Sequence, residues 1–381
     1  MNSPVCERGD SRASVPARWN RGHVARARAQ LAREALAECH LCEHHCGVNR
    51  LNGERGLCRA GPQARVFSAQ VEVADELELI PTFAIALSGC DLRCDFCITG
   101  AESWNPLAGE SFSVAELAAR AEAALANGAC TVMILGGEPT VHLPTALDIV
   151  SALPGDGRVV WKTNAHGSAQ ARALLDGLFD VWLADYKFGN DTCASRLTKV
   201  PDYTRIVREN LRWMYAQGTG TGAVRTAKDD GCGFSTMDVS YPLTPALSLG
   251  ERENRRLRIG ETGVDRLVEG LDGIPPLPKG EGWGEGKEDC LQPYDKGNTQ
   301  TLLRSKLIVR HLLLPGHVDC CWSAIAEWLA AELPGVKVNL RSGFWPAWHA
   351  ARHSELDGTV SSDDYKHALD IARDFGLNLV Q

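Results

Sequence analysis

The chain has 381 residues, of which 44% are hydrophobic and 23% are charged, and its formal net charge is −8 at pH 7. This length allows one large α/β domain or two ordinary ones, and the composition is that of a soluble globular protein. The negative charge argues against a broad surface for nucleic acid or anionic membrane. No run approaches the roughly 18 apolar residues of a membrane span, and no apolar signal segment follows Met1, so we expect a cytoplasmic protein.

The first segment, residues 1–38, carries seven Arg against four acidic residues. We interpret this modest excess as a solvated face or a ragged terminus rather than a binding arm. The segment is therefore treated as an N-terminal extension.

Cysteine is the next notable feature, because thiols stay reduced in the cytosol and clustered ones there indicate metal ligands or catalytic groups. The first cluster comprises Cys39, Cys42, Cys46 and Cys58. Gly53 and Gly56 allow the chain to turn back between them. Four ligands close a site, so a structural zinc ion and an auxiliary iron–sulfur cluster both fit. We assign residues 39–79 to a Cys-rich metal-binding leader.

A second cluster, "SGCDLRCDFCITG", supplies only three thiolates, from Cys90, Cys94 and Cys97. The charged residues Asp91 and Asp95 favour an exposed loop over a core segment. A buried structural turn and a three-thiolate zinc site with a distant fourth ligand are both alternatives. We favour a four-iron cluster in which one iron lacks a protein ligand and is completed by a small molecule.

The remaining cysteines are scattered, and we expect most of them to be small buried hydrophobic residues. They are Cys6, Cys130, Cys193, Cys232, Cys290, Cys320 and Cys321.

From residue 82 onward, apolar runs typical of strands alternate with helical patterns. The predicted strands cover 82–87, 130–135, 158–163, 180–187, 306–314 and 336–340. The predicted helices cover 113–128, 143–153, 168–178, 202–218, 319–333 and 362–376. This order implies an α/β fold with a parallel sheet and helices outside, either open or curled toward a barrel.

The alternation breaks after residue 218 in a stretch rich in Gly, Pro, Glu and Arg. A structureless loop of this length is uncommon inside a compact domain. We therefore expect residues 219–304 to be a largely disordered low-complexity insertion. The core would then comprise residues 80–218 and 305–381.

Several polar motifs follow predicted strands, and the carboxyl ends of parallel strands meet at one edge of a sheet. They are "GGEP" at 136–139, "TNA" at 163–165 and "DYK" at 185–187. Glycines let a backbone approach a ligand closely, Glu138 can accept from an ammonium group, and Lys187 suits a carboxylate. His311 lies within a strand, where a lone histidine is more often a core residue than a catalyst.

The C-x3-C-x2-C spacing, with Phe96 before the last cysteine and "GGEP" one strand later, resembles the radical S-adenosylmethionine (SAM) superfamily. Within it, "WKTNA", "DYKF" and "RHLLLPG" resemble the pyruvate formate-lyase activating enzymes and their less characterised relatives with a cysteine-rich leader. The resemblance covers about residues 80–215 and 305–345. It implies a partial (β/α)6 TIM-like barrel.

The same resemblance implies roles for the motif residues. Cys90, Cys94 and Cys97 would bind a [4Fe–4S] cluster, and SAM would chelate its free iron. The residues that would hold SAM are Gly136, Gly137, Glu138, Asn164, Asp185, Lys187 and His311. The first three would lie along its amino group, and Asn164, Asp185 and Lys187 would hold its carboxylate and ribose.

The implied activity is reduction of the cluster by a flavodoxin- or ferredoxin-type donor, cleavage of SAM, and hydrogen abstraction by a 5′-deoxyadenosyl radical. A protein substrate of the glycyl-radical type is the first expectation. Two alternatives remain: radical modification of a small molecule, and a non-catalytic zinc-binding adaptor.

Overall fold

The computed structural model describes residues 21–73, 76, 78–155, 157–219 and 307–380. Strands of these residues form one sheet in chain order: β1 (Val66–Glu72), β2 (Thr82–Leu87), β3 (Thr131–Gly136), β4 (Val159–Thr163), β5 (Val181–Asp185), β6 (Leu307–Leu312), β7 (Lys337–Arg341) and β8 (Asn378–Leu379). The α-helices are α1 (Arg21–Glu34), α2 (Gly100–Trp104), α3 (Val114–Ala126), α4 (Leu143–Ala152), α5 (Ala169–Leu175), α6 (Asp191–Thr198), α7 (Tyr203–Thr219), α8 (Ser323–Glu332) and α9 (Ser362–Asp374).

The sheet is parallel from β2 to β8, and β1 alone runs antiparallel to its neighbour. The six predicted strands correspond to β2–β7. The predicted α/β fold with a parallel sheet, of the partial TIM-like barrel kind, is therefore confirmed. The edge strands β1 and β8 were not predicted, and β1 lies within the segment assigned to the leader.

The local sequence explains where these elements begin. All six residues of β2 are buried, as expected for a parallel strand covered on both faces. The Ser113 hydroxyl accepts a hydrogen bond from the Glu116 amide and so caps α3. Ser168 caps α5 in the same way, by accepting from the Ala171 amide.

Residues 1–20 of the predicted N-terminal extension lie outside the described residues, and helix α1 corrects the expectation of a ragged terminus for the remainder. Its small residues Ala25, Ala29 and Ala32 are fully buried, and the helix packs against α4. Arg21 forms an ion pair with Asp180, and Arg33 forms one with Asp148. Alanines at this spacing make a narrow apolar stripe that lets two helices approach closely, although their low hydrophobicity gives a weak sequence signal.

The predicted insertion at 219–304 lies outside the described residues, apart from Thr219 at the end of α7. Within the described part of the chain, no helix has both the length and the apolar character needed to cross a membrane.

Candidate functional site

The loop with three cysteines leaves the carboxyl end of β2. Gly89 and Arg93 adopt positive φ angles of 89° and 50° and turn the chain around Cys90. Cys90 and Cys94 are each 7% exposed, and Cys97 is half-buried. Burial raises the pKa of Cys90 well above its usual range, and it raises that of Cys94 to about 12. The Cys90 and Cys94 thiols are therefore poor free nucleophiles, whereas a metal centre would supply the positive charge that thiolates need.

The acidic residues of this loop are buried, which corrects the expectation of an exposed loop. Asp91 is fully buried and Asp95 is 5% exposed. The Asp95 carboxylate lies 2.8 Å from Nε2 of His353. A buried charge is tolerated when it has a partner. The partner of Asp95 is distant in sequence, so the burial of this carboxylate could not be predicted from the loop itself.

Asp91 lies at the centre of a buried network that sequence reasoning missed. Its Oδ2 lies 2.8 Å from Nδ1 of His166, and its Oδ1 accepts from Nδ2 of Asn164 at 2.7 Å. Burial alone would raise the pKa of Asp91, but these two neighbours outweigh it and hold the pKa below its usual value. Asn164 thus orients the cysteine loop, which is the loop that carries Cys90, Cys94 and Cys97. The Nδ2 atom of Asn164 also lies 3.8 Å from Sγ of Cys90.

Glu138 joins the loops that follow β3 and β4. Its carboxylate accepts from the amide and hydroxyl of Thr140 and from the Thr163 hydroxyl, at 2.6–3.1 Å. It also accepts from the Asn164 amide at 2.7 Å. Burial raises the pKa of Glu138 to about 7. A carboxylate has about four acceptor positions, so in this arrangement its acceptor capacity serves the protein's own backbone and hydroxyl groups.

The glycines of "GGEP" allow two loops to touch through their backbones. A Cβ at Gly136 would lie 2.0 Å from the Leu87 carbonyl oxygen, and one at Gly137 would lie 2.2 Å from that of Gly89. The Gly137 and Glu138 amides donate to these same two oxygens at 2.9 Å. The close approach that glycine permits here is therefore to the cysteine loop itself.

Gly137→Ala should lower the free energy of unfolding by about 1–3 kcal/mol, because the new methyl group would collide with backbone atoms. Chemical denaturation of the full chain measures this. The matched control is Gly343→Ala, since a Cβ at Gly343 has no neighbour within 4 Å. Equal stabilities of the two variants would contradict the proposed loop contact.

A charged triad occupies the adjoining ends of β5 and β6. Asp185 Oδ2 lies 2.6 Å from Nζ of Lys187, and its Oδ1 lies 2.8 Å from Nε of Arg310. Burial would raise the pKa of Asp185, but the two cations hold it well below its usual range. The pKa of Lys187 is raised, since the attraction of Asp185 exceeds the effect of burial. The positive charge of Lys187 also lowers the pKa of the Cys94 thiol, but the effect of burial, which raises that pKa, is larger.

His311 is not brought into this group. It is 1% exposed, its Nδ1 lies 2.7 Å from the Tyr186 carbonyl oxygen, and its ring stacks on Trp322. Burial lowers the pKa of His311 to about 4, so the ring is neutral. Arg310, one residue earlier and on the other face of the strand, contacts Asp185 instead.

The Cys-rich leader lies against the cysteine loop. Nε2 of His44 lies 3.1 Å from the Asp91 carbonyl oxygen, and the Glu43 amide donates to the His166 carbonyl at 3.2 Å. Gly53, with φ of 90°, turns the leader as predicted. The four leader cysteines range from exposed Cys46 to buried Cys58.

Two groups of described residues have ligand atoms that all lie within 4.8 Å of one another. They are His44, Asp91 and His166, and separately Cys193, His317, Cys320 and Cys321. Neither predicted cysteine cluster forms such a compact group in the described part of the chain.

Residues 85–224 match the family model described as the Radical SAM superfamily. This segment of the chain is similar to radical SAM domains. A radical SAM domain implies a [4Fe–4S] cluster and S-adenosylmethionine, and the buried three-cysteine loop within this match suits such a cluster.

The chain is also similar to an uncharacterized protein, MJ0674, of Methanocaldococcus jannaschii, with 23% identity over 364 residues. That alignment covers 93% of this chain and 79% of the relative. Two solved structures of Streptococcus suis SuiB, one of them bound to the precursor peptide SuiA, match at 11% identity with TM-scores of 0.39 and 0.38. These two matches include 76% and 78% of this chain. They include only 46% and 47% of SuiB, so the chain spans less than half the length of that protein.

Proposed function

We propose that the protein is a radical SAM enzyme whose reaction takes place at the carboxyl ends of β2–β6. The observation that supports this most is the loop of Cys90, Cys94 and Cys97, in which Cys90 and Cys94 are buried and the Cys94 thiol lies within reach of the positive charge of Lys187. When bound, the cluster and SAM supply reductive cleavage of a carbon–sulfur bond and a 5′-deoxyadenosyl radical that abstracts hydrogen.

The three cysteines would ligate the cluster, and the triad of Asp185, Lys187 and Arg310 would meet the polar groups of SAM. A carboxylate would pair with the cations, while the Asp185 carboxylate can accept from hydroxyl groups. Half-buried charges held by each other are already oriented, so they lose little freedom on binding. Four further residues would hold the loops of the site in place rather than contact SAM: Gly136, Gly137, Glu138 and Asn164. His311 would contribute only by packing in the core.

The leader would hold a second centre. Cys39, Cys42 and Cys58 lie close enough for each to affect its neighbours electrostatically, and burial raises the pKa of Cys42 and Cys58. Four thiolates close a site, so a structural zinc ion and an auxiliary iron–sulfur cluster both suit this ligand set. An auxiliary cluster, held beside Asp91 through the contact of His44, would be placed to transfer an electron to the first cluster.

The substrate we propose is a protein or peptide backbone, which rests on the resemblance of "WKTNA", "DYKF" and "RHLLLPG" to the activating enzymes. Transfer of deuterium from a labelled glycine-containing peptide into 5′-deoxyadenosine would support this class. Transfer only from small metabolites would favour radical modification of a small molecule.

The test of the activity itself uses the full chain, reconstituted with iron and sulfide without oxygen and reduced with dithionite. We expect SAM to be converted to 5′-deoxyadenosine and methionine, detected by chromatography. Omission of the reductant is the control. Protein that binds zinc but no iron, and forms neither product, would instead be the non-catalytic adaptor.

A further inference from the structure

The sequence left Cys193, Cys320 and Cys321 among the scattered cysteines, but the fold brings them together. Cys193 lies in the first turn of α6, which follows β5. Cys320 and Cys321 belong to a π-helical turn, Val318–Trp322, that follows β6. His317 immediately precedes that turn. Three sulfurs and one imidazole nitrogen therefore converge from two neighbouring loops.

The distances within this group match those around one tetrahedral ion. Nδ1 of His317 lies 3.5, 3.3 and 3.7 Å from the sulfurs of Cys193, Cys320 and Cys321. The sulfur of Cys320 lies 3.9 Å from each of the other two sulfurs. Zinc with Zn–S bonds of about 2.3 Å and a Zn–N bond of about 2.0 Å requires about 3.8 Å between sulfurs and about 3.5 Å from sulfur to nitrogen.

The chemistry of the donors narrows the choice of metal. Three thiolates and an imidazole form a soft, closed set without a carboxylate, which suits zinc and not magnesium or calcium. The group is too compact for thiolates spread around a cubic iron–sulfur cluster. We propose that Cys193, His317, Cys320 and Cys321 bind one structural zinc ion.

The surrounding residues hold the ligands in place. The Asn190 side chain accepts from the Cys193 amide at 2.8 Å, and its Nδ2 donates to the Cys320 carbonyl at 2.7 Å. The same nitrogen lies 3.4 Å from the Cys321 sulfur. A Cβ at Gly189 would lie 2.1 Å from the Cys321 carbonyl oxygen, so only glycine allows the two loops to approach this closely. These contacts orient the ligands much as outer-shell groups do in known metal sites.

Exposure shows how an ion would reach the site. His317 and Cys321 are buried, at 4% and 1% exposed, and Cys193 is 8% exposed. Cys320 is exposed and forms the solvent side. Bound zinc would fasten the loop after β5 to the loop after β6. This role is separate from the proposed radical chemistry and does not depend on it.

The test is the zinc content of the full chain, measured by mass spectrometry of the metal after purification under reducing conditions. Cys193→Ser and Cys320→Ser should each lose one zinc per chain and keep their iron. Cys320→His keeps four ligands and should retain the zinc. Cys130→Ser, which removes a cysteine from outside the group, should change neither metal.

A second measurement needs no variant and so does not depend on how the variants fold. In the wild-type chain, alkylation of Cys193, Cys320 and Cys321 should be slow and should accelerate at least tenfold after zinc is chelated. Unchanged zinc in both serine variants, with alkylation insensitive to chelation, would overturn the proposal. So would loss of iron instead of zinc, or a disulfide among these cysteines in the reduced preparation.

Discussion

Cys94→Ala should abolish 5′-deoxyadenosine formation, reducing it to the level of a protein-free control. Its sulfur is one of three that we expect to hold the cluster, and it is buried beside Lys187. Alanine leaves two thiolates, which is too few to retain the cluster, so iron should fall by about four per chain. Product chromatography and iron analysis on the same anaerobic sample measure both effects.

The matched control is Cys130→Ala, a cysteine at the entrance to β3 that lies outside the compact ligand groups and the cysteine loop. Its iron content and product formation should equal those of the wild type. If Cys94→Ala still formed 5′-deoxyadenosine under reduction, Cys94 would not be a ligand and the proposed site would be wrong.

Asp91→Ala should lower the free energy of unfolding by about 3–5 kcal/mol, because it removes one member of a buried hydrogen-bonded charge network. The imidazole of His166 and the amide of Asn164 would both lose their acceptor. Asp91→Asn should cost less than half as much. Its oxygen can still accept from Asn164, and its amide can donate to His166 after a change of tautomer.

Denaturation at two pH values checks the sign of this effect. The folded-state pKa of Asp91 is depressed, so its carboxylate contributes stability above the unfolded value of about 3.9 and loses that contribution as the pH falls through the folded value. The gap between wild type and Asp91→Ala should therefore be full at neutral pH and shrink below about pH 4. The exposed residue Asp357 provides the control, since Asp357→Ala should change stability by less than about 0.5 kcal/mol. A gap that did not depend on pH would contradict the charge network.

The sheet could be predicted because its signals are local. Short apolar runs predicted β2–β7, and the helices predicted at 113–128 and 168–178 start at Ser113 and Ser168, which cap α3 and α5 in the structure. The unpredicted elements carry weaker local signals. None of the residues of β1 is buried, since Gln70 and Val71 are exposed and the rest are half-buried, and α1 buries only alanines. Both elements form because they pack against another part of the chain, β1 against β2 and α1 against α4. That partner cannot be identified from the sequence of a single segment.

The candidate site divides in the same way. The cysteine spacing is local, so the prediction that Cys90, Cys94 and Cys97 are cluster ligands needs only that spacing. Charge placement is not local: His166 lies 75 residues from Asp91, and His317 lies 124 residues from Cys193. Sequence reasoning therefore placed Asp91 in an exposed loop and treated Cys193 as an isolated hydrophobic residue. In both cases a distant partner determines the role of the residue.

The turn between α8 and β7 has a practical consequence. Helix α8 ends at Glu332 and β7 begins at Lys337, so this turn joins a helix to the amino end of a strand. In parallel α/β units such turns lie opposite the edge where the carboxyl ends converge. Pro334 and Gly335 are exposed in it. A fluorescent reporter or affinity handle introduced at this turn would sit far from the cysteine loop, so the protein could be labelled there without obstructing the carboxyl ends of the strands.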